Sequence, residues 1–259
     1  MTLRITTWNV NGLRAAERKG FFATLDELQT DVLLLQEVRA LPEQLSAEAR
    51  APEGWHVHWN PAERKGYAGT ALWSRTPIEV LHTGLESGEH DVDGRVTVAR
   101  TAGVVIGSIY LPSGSASPER QAAKEAWMTR FKPWAAALAA SPEPVVLGGD
   151  LNIAHTNDDI HNPAGNKNNS GFLPHERAWF TELLATGWTD AQRTKAGPGK
   201  GPYSWWSNRG QARALDRGWR IDYLLCNSSA AERLSAASTL RAGGLTVSDH
   251  APVSVELRA

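Results

Sequence analysis

Short runs of apolar and β-branched residues recur along the whole chain of 259 residues and alternate with turn-forming residues. This pattern is typical of many short β-strands and excludes an all-helical fold. No internal repeat or long linker divides the chain, so we expect a single domain that spans residues 1–259. The predicted strands are residues 3–10, 32–35, 55–59, 69–73, 95–99, 104–110, 145–147, 221–226 and 253–257.

Three apolar patterns with helical spacing interrupt these strands. The second begins at Ser117 and Pro118, a capping residue followed by a proline at the first helical position. We expect Pro133 to kink or split that helix because proline removes an amide donor. Strands and helices together predict an α/β fold in which a two-sheet β-sandwich is flanked by helices, in four layers. The apolar residues of the predicted helices are Phe21, Phe22, Leu25 and Leu28; Trp127, Phe131, Trp134 and Leu138; and Trp179, Phe180, Leu183 and Leu184.

Charge balance and cysteine content limit the classes of protein. Lys and Arg total 27 against 28 Asp and Glu, so any nucleic-acid surface must be local rather than global. The single cysteine, Cys226, excludes a disulfide scaffold and a cysteine-based metal site. No apolar stretch approaches the roughly 18 residues of a spanning helix. The N-terminal segment lacks the apolar region of a signal peptide, so we expect a cytoplasmic protein without a membrane partner.

Polar side chains follow several of the predicted strands at the point where each strand ends. If these ends share one edge of the sandwich, carboxylates, amides, a tyrosine and a histidine meet there. Oxygen ligands without cysteine suit Mg²⁺ or Mn²⁺, and that chemistry favours hydrolysis of a phosphate ester. Each residue taken alone has an ordinary structural explanation, such as a turn or a half-buried strand position. The residues are Asn9, Asn11, Glu37, Tyr110, Asp150, Asn152, Asp249 and His250.

The strings around these residues resemble the exonuclease III family of apurinic/apyrimidinic (AP) endonucleases, whose wider superfamily has the DNase I-like fold. The similarity is collinear and covers nearly the whole chain. The shortest signatures also fit inositol phosphatases, sphingomyelinases and tyrosyl-DNA phosphodiesterases, but NPAGNKNNSGF at residues 162–172 is similar to a loop of the DNA-repair members. The other matching strings are TWNVNGLR (7–14), LQE (35–37), GDLNIAH (149–155), GWRIDY (218–223) and SDHAP (248–252).

The resemblance implies a role for each matching residue at the metal and the scissile phosphate. Glu37 would bind the metal directly, with Asn11 and Asp249 around it. Asp150 would orient or deprotonate the attacking water, and Asn152 would help to place that water and the phosphate, both close to the metal.

The resemblance also implies a set of phosphate-binding groups. His250 would hydrogen-bond a phosphate oxygen, and Asp222 would accept from its other ring nitrogen. Tyr110, Asn9 and Asn169 would complete the phosphate pocket. The residues themselves do not assign the proton-transfer base between Asp150 and His250.

An abasic-sugar pocket and DNA contacts follow from the same resemblance. Trp205 and Trp219 would receive a base-free deoxyribose, with Ile221 and Asn166 beside them, whereas the neighbouring Trp206 fits the core as well as the pocket. Arg39, Tyr67 and Arg209 would contact the DNA backbone.

Two segments depart from the family pattern or add local charge. Residues 113–116 replace an Asn and an inserting Arg of the human-like branch, and Asn208 with Arg209 replaces a Tyr-Met pair. Between residues 190 and 220, positive charges exceed negative ones by five, which favours phosphate contact around the proposed sugar pocket. The charges counted are Arg193, Lys195, Lys200, Arg209, Arg213, Arg217 and Arg220 against Asp190 and Asp216.

These observations predict a monomeric, Mg²⁺- or Mn²⁺-dependent DNA-repair phosphodiesterase. It would cut double-stranded DNA 5′ to an abasic site, leave a 3′-hydroxyl, and act on blocked 3′ ends as a 3′-phosphodiesterase and 3′→5′ exonuclease. A superfamily phosphatase for a lipid or inositol phosphate is one alternative. A DNA-lesion binding module without catalysis is the other.

Overall fold

A computed structural model describes residues 2–86 and 88–258, and within them twelve strands form two six-stranded sheets. The predicted strands are present with shifts of a few residues at their ends, and β5, β9 and β11 are additional. The strands are β1 (Thr2–Asn9), β2 (Val32–Gln36), β3 (His56–Asn60), β4 (Thr70–Ser74), β5 (Glu79–Thr83), β6 (Val96–Thr101), β7 (Val104–Tyr110), β8 (Val145–Asp150), β9 (Thr189–Asp190), β10 (Asp222–Cys226), β11 (Leu234–Thr239) and β12 (Val253–Arg258).

Three of the helices correspond to the predicted ones: α2, α4 and α6. The α-helices are α1 (Leu13–Glu17), α2 (Phe21–Leu28), α3 (Ala47–Arg50), α4 (Pro118–Ala139), α5 (Pro163–Asn166), α6 (Pro174–Ala185), α7 (Ala191–Ala196), α8 (Ser228–Ala231) and α9 (Arg241–Thr246), and short 3₁₀ turns lie at Pro42–Gln44 and Asn157–Asp159. In the part of the chain described, no helix has the length and apolar character needed to cross a membrane.

Each sheet contains one parallel pair at its centre. The first sheet has the order β11-β12-β1-β2-β4-β3, and only β1 and β2 run parallel in it. The second has the order β5-β6-β7-β8-β10-β9, with β7 and β8 parallel. The crossover between β1 and β2 contains α1 and α2, and that between β7 and β8 contains α4.

Three apolar clusters separate four layers, as the sequence predicts. Ile5 and Leu34 of the first sheet face Ile106 and Val146 of the second in the central cluster. Outside the first sheet, a cluster that includes Phe21 packs α1 and α2 onto the strands. Outside the second sheet, Phe131 of α4 and Phe180 of α6 fill the corresponding cluster. The four-layer α/β sandwich is therefore confirmed.

Of the two outcomes expected at Pro133, splitting of the helix is wrong, and a kink stays a prediction. Helix α4 is continuous over 22 residues through Pro133. The amide that proline lacks would have bonded the carbonyl of Thr129, and both residues are exposed, so water can hydrate that carbonyl.

Gly149 allows β7 and β8 to approach closely beside the site. A Cβ atom at Gly149 would lie 1.8 Å from the carbonyl oxygen of Ile109, so no other residue fits there. The next residue along β8 is Asp150, whose position therefore depends on this contact.

Candidate active site

Parallel pairing in each sheet aligns the ends of the strands that carry the candidate residues. Asn9 ends β1 beside the end of β2, which Glu37 follows directly. Tyr110 ends β7 opposite Asp150 at the end of β8. Asp150 also lies opposite Asp222 at the start of β10. The structure thus brings together side chains that are far apart in the sequence.

Asn9 links the two sheets through one amide nitrogen. Its Nδ2 donates to Glu37 Oε1 at 2.7 Å and to Asp150 Oδ2 at 2.9 Å. Its Oδ1 accepts from the backbone N–H of Asn11, and its carbonyl accepts from Ser248 Oγ. Asn9 is fully buried, so these bonds fix the separation of the two carboxylates without competition from water.

Four site residues hold the left-handed backbone conformation that non-glycine residues rarely adopt. The φ angles are 47° at Asn11, 53° at Glu37, 52° at Arg39 and 49° at Asn152. Such conformations cost about 1–3 kcal/mol each and cluster at functional sites, where surrounding contacts enforce them. At Asn152 these contacts include its own N–H, which donates to Asp150 Oδ1, and its Nδ2, which donates to the carbonyl of Leu111.

His250 is held by a buried carboxylate, in the pairing that the resemblance implies. Its Nδ1 lies 2.9 Å from Asp222 Oδ2, and its Nε2 lies 3.9 Å from Asp150 Oδ2. Sequence reasoning missed Ser204, whose hydroxyl donates to Asp222 Oδ2 and accepts from the backbone N–H groups of Ile221 and Asp222. A serine beside two tryptophans gives no sequence signal for this bond.

Burial and neighbouring charges set the protonation of Asp150 and His250. Burial raises the pKa of Asp150, and although His250 opposes the rise, Asp222 and Glu37 add to it. Burial lowers the pKa of His250, but the charge of Asp222 and the hydrogen bond to it outweigh burial and raise the pKa of the imidazole overall. His250 therefore favours the doubly protonated cation, which donates from both nitrogens.

Tyr110 presents a neutral hydroxyl at the same edge. Burial raises the pKa of this phenol well above its ordinary value, and the charges of Glu37 and Asp150 act in the same direction. A phenol that keeps its proton donates a hydrogen bond, and an anionic phosphate oxygen is a suitable acceptor.

Three acidic and imidazole groups lie close enough to hold a metal ion. One ligand atom each from Glu37, Asp150 and His250 lies within 4.8 Å of the others. Because Asp222 favours the protonated form of His250, the oxygens of Glu37 and Asp150 are the better ligands of the three. Carboxylate oxygens suit a hard divalent cation.

Asn11 and Asp249 lie beside the candidate metal site, and both oxygens of the Asp249 carboxylate accept hydrogen bonds from neighbouring side chains. Its Oδ1 accepts from Asn11 Nδ2 at 2.8 Å, and its Oδ2 accepts from Trp205 Nε1 at 3.1 Å. Burial raises the pKa of Asp249, but His250 and these hydrogen bonds outweigh burial and lower the pKa overall. Asp249 thereby connects the candidate metal site with the tryptophan pocket.

Arg39 forms an ion pair with Glu37 Oε2 at the same place. The guanidinium is about two-fifths exposed, whereas the Glu37 side chain is mostly buried. Arg39 lines the cavity together with Glu37, so its free nitrogens can face an incoming anion.

A cavity of about 890 Å³ opens beside these groups. Half-buried Trp205 and Trp219 form one wall with Ile221, and their rings meet edge to face at 5.9 Å between centroids. Trp206 is fully buried and packs with Tyr203 and Ala251, so it belongs to the core rather than to the pocket. The cavity lining also contains small and polar residues, namely Ser113, Gly114, Ser115, Ser117, Asn168 and Ser170.

The loop of residues 162–172 contributes Asn169 to the cavity, whereas Asn166 lies outside the cavity lining and hydrogen-bonds Asn169. Asn169 lines the cavity, and its Nδ2 donates to Asn166 Oδ1 at 2.9 Å. Asn166 in turn donates to the carbonyl of Asn162. Asn166 therefore orients Asn169 instead of forming the pocket wall itself.

Fewer positive charges are free on the surface between residues 190 and 220 than the sequence count predicts. Two of the arginines are paired with buried carboxylates. Arg220 is fully buried and ion-pairs with Asp159 and Asp190, and Arg193 also pairs with Asp159. The prediction that Arg220 contacts phosphate is therefore wrong, since a buried and neutralised guanidinium cannot reach DNA. Arg209 is exposed and lines the cavity.

Tyr67 lies in a separate basic cluster. Its hydroxyl accepts from Arg95 at 2.8 Å and from Arg120 at 3.2 Å, and the guanidinium of Arg64 lies over its ring. These contacts leave positive charge around a half-buried aromatic ring.

Comparisons with known proteins agree with this geometry. A model of the Endonuclease/Exonuclease/phosphatase family matches residues 6–250. The chain is 38% identical to the exodeoxyribonuclease of Bacillus subtilis, over 98% of each chain.

Two solved structures are similar over nearly the full length. A 3′ phosphatase from Neisseria, bound to a product DNA hairpin, superimposes with a TM-score of 0.90 at 30% identity and covers 99% of this chain and 100% of that one. An AP endonuclease from Archaeoglobus fulgidus gives a TM-score of 0.88 at 28% identity, with coverage of 99% and 100%. These structures confirm the DNase I-like fold, and the chain belongs to the Endonuclease/Exonuclease/phosphatase family.

Proposed function

We propose that this protein is a metal-dependent DNA-repair phosphodiesterase that cleaves duplex DNA 5′ to an abasic site and leaves a 3′-hydroxyl. The observation that carries the proposal is a single cavity that combines phosphate chemistry with an apolar sugar slot. Asp150 and His250 line this cavity together with Trp205, Trp219 and Ile221, and the rings of Trp205 and His250 lie 6.4 Å apart between centroids. The AP endonuclease from Archaeoglobus fulgidus, similar over the whole chain, supports this substrate.

Mg²⁺ or Mn²⁺ fits the donors present. Glu37 and Asp150 would hold the ion, because their oxygens converge and both side chains are buried beside the cavity. When bound, the ion would offset the negative charge that develops on the phosphate. Without a cation the carboxylates of Glu37 and Asp150 would repel each other, so their closeness favours the binding of a cation between them.

Asp150 would accept the proton of the attacking water. Asn9 and Asn152 hold its carboxylate through three short contacts, which fixes the direction of its free lone pairs. Burial raises the pKa of the Asp150 carboxyl, and a cation bound beside it would lower that pKa and keep the carboxylate ionised, as a proton acceptor must be. His250 favours its protonated form and is therefore a poor acceptor, which supports Asp150 as the base.

His250, Tyr110 and Asn169 would bind the phosphate oxygens. The first two offer protons that their environments retain, and Asn169 is held toward the cavity by Asn166. Donors that are positioned before the reaction stabilise developing charge without reorganising.

The tryptophan wall would select the sugar. Trp205 and Trp219 present flat apolar surfaces, and Gly171 lies directly against the Trp219 ring, where a Cβ atom would come within 3.2 Å. We expect such a wall to receive a base-free deoxyribose and to exclude a sugar that still carries its base.

A second activity, on blocked 3′ ends, is favoured by the small residues of the cavity lining. Ser113, Gly114 and Ser115 are among them, and they stand where the human-like branch has a longer inserting side chain. The Neisseria protein is named a 3′ phosphatase and the Bacillus subtilis protein an exodeoxyribonuclease, and these names support 3′-phosphodiesterase and 3′→5′ exonuclease activity here. We further propose that the protein acts as a monomer.

Cleavage of a labelled duplex with one tetrahydrofuran abasic analogue tests the main proposal. The reaction is run with Mg²⁺, with Mn²⁺ and with EDTA, beside the same duplex without damage. We expect metal-dependent incision 5′ to the analogue. Degradation of the undamaged duplex from its 3′ ends then gives the exonuclease activity for comparison. Without incision in either metal the proposal fails, and hydrolysis of a soluble inositol phosphate would support the phosphatase alternative. Lesion binding without cleavage would support the binding module.

A further inference from the structure

A fully buried ion pair lies behind the active site and joins the two helices outside the second sheet. Lys124 of α4 and Glu176 of α6 have no exposed side-chain surface, and Nζ lies 2.6 Å from Oε1. The same helices are joined a second time at the surface, where Lys132 pairs with Glu182 and both side chains are substantially exposed. The surface pair needs no desolvation, whereas the buried pair does.

Lys124 also binds the backbone of a site residue. Its Nζ donates to the carbonyl oxygen of Asn152 at 2.9 Å. Asn152 is the residue with a φ of 49°, and its N–H and Nδ2 both contact the carboxylate of Asp150. The ammonium group therefore holds the carbonyl of the residue whose backbone N–H and side-chain amide both donate to the Asp150 carboxylate.

Glu176 binds the backbone of a second residue of the cavity lining, Gly171, with its other oxygen. Its Oε2 accepts from the N–H groups of Gly171 at 2.6 Å and Leu173 at 3.1 Å. Gly171 lies between Trp219 and the carbonyl of Asn152, where a Cβ atom would come within 3.2 Å and 3.0 Å of them. The carboxylate thus fixes the backbone that borders the sugar slot.

A third helix residue extends the network to the cavity surface. Gln121 of α4 lines the cavity, and its Nε2 donates to Glu176 Oε1 at 3.1 Å. Gly114 packs directly on its carbonyl group, since a Cβ atom there would lie 2.0 Å from Gln121 Oε1. A side chain at position 114 would have to move the Gln121 amide.

We propose that Lys124 and Glu176 are positioning residues that fix the distance between the phosphate-binding residues and the sugar slot. Lys124 sets Asn152 and with it Asp150, while Glu176 sets Gly171 and with it the space beside Trp219. The kinetic consequence rests on the proposed function; the structural consequence does not.

Four variants separate positioning from stability. Lys124→Met should lower the single-turnover rate on the abasic duplex by about 10²-fold, as a misplaced catalytic group does, and leave the Kd for the duplex nearly unchanged. Lys124→Met combined with Glu176→Met removes both charges, so the melting temperature should return toward that of the wild type while the rate stays low. Lys124→Arg keeps the charge and should recover part of the rate. Lys132→Met, in the exposed pair of the same helices, should leave the rate unchanged.

Hydrogen exchange of the Asn152 and Gly171 amides supplies a readout that needs no activity. Both amides should exchange about tenfold faster in Lys124→Met than in the wild type, and Lys132→Met should not alter them. A double variant with a wild-type rate, or Lys124→Met with unchanged exchange at both amides, would overturn the inference. If the wild type itself does not incise the abasic duplex, the proposed function fails, and the exchange rates alone decide whether the ion pair positions these segments.

Discussion

His250 and Asp222 face each other in the interior at 2.9 Å between Nδ1 and Oδ2, and the carboxylate also accepts from Ser204. Asp222→Asn removes the charge that keeps the imidazole protonated. We expect a decrease on the order of 10²-fold or more in the cleavage rate, because the loss of one positioned donor to the charge that develops on the phosphate costs that much. Single-turnover cleavage measures the rate.

An NMR titration of His250 supplies the mechanistic check for Asp222→Asn. The pKa of the imidazole should fall in this variant, since its stabilising anion is gone. Ser204→Ala keeps the anion and should lower the rate far less. Equal rates for Asp222→Asn and the wild type would contradict an orienting role.

Asp150→Asn tests the proposed base directly. The amide keeps the size of the carboxylate and can still bond to Asn9 and Asn152, but it cannot accept a proton. Cleavage of the abasic duplex should therefore be abolished while the affinity for that duplex is retained. A gel-shift titration measures binding beside a cleavage assay. Retained turnover in the variant would remove Asp150 from this role.

Trp219→Ala should weaken selection for the abasic sugar. Losing one face of the slot reduces the preference for abasic over undamaged duplex by roughly tenfold, the range expected for one apolar pocket contact. The ratio of the two cleavage rates, measured on labelled duplexes, gives the preference. An unchanged ratio would show that another surface recognises the sugar.

Trp206→Ala provides the contrast with Trp219. Trp206 is fully buried, so truncation should destabilise the fold by about 3–5 kcal/mol. Urea unfolding followed by fluorescence measures the loss. Under conditions where the variant remains folded, its preference for abasic DNA should equal that of the wild type.

Asp159 makes the stability depend on pH. Burial raises the pKa of Asp159, but the paired Arg220 and Arg193 outweigh burial and hold the pKa well below its ordinary value. The ionised form contributes stability above the unfolded pKa of about 3.9, and this contribution is lost as the pH falls toward the folded pKa. Asp159→Asn should cost about 3–5 kcal/mol at pH 7, because the buried Arg220 loses a partner.

The pH dependence distinguishes the charge from packing. The difference in free energy of unfolding between Asp159→Asn and the wild type should shrink between about pH 4 and pH 3. Urea titrations at each pH measure it. A difference that stays constant over this range would indicate that the shape of the side chain, rather than its charge, matters.

The sequence predicts the sheets and most of the site because the relevant signals are local. Apolar runs such as 145–147 mark central strands, and Asp150 or Glu37 directly after a run marks its end. Strand β11 escapes prediction because an edge strand of Leu, Ser, Ala and Thr lacks the apolar character of a buried one.

The parts that sequence reasoning misses depend on contacts distant in the chain. Arg220 looks like a DNA contact until Asp159, 61 residues earlier, is seen to neutralise it. Ser204 and the Lys124–Glu176 pair are similarly ordinary in the sequence, because a hydrogen-bond partner is chosen by the fold and not by spacing.

The amide nitrogen of Asn9 spans the two sheets, with one carboxylate partner on each. A sliding of one sheet against the other by even a fraction of a residue would break one of these bonds and separate Glu37 from Asp150. The activity therefore depends on the alignment of the two sheets relative to each other. A partly unfolded chain that keeps only one sheet would keep only one of the two carboxylates in place. During unfolding, cleavage activity should therefore be lost together with the central apolar layer or before it.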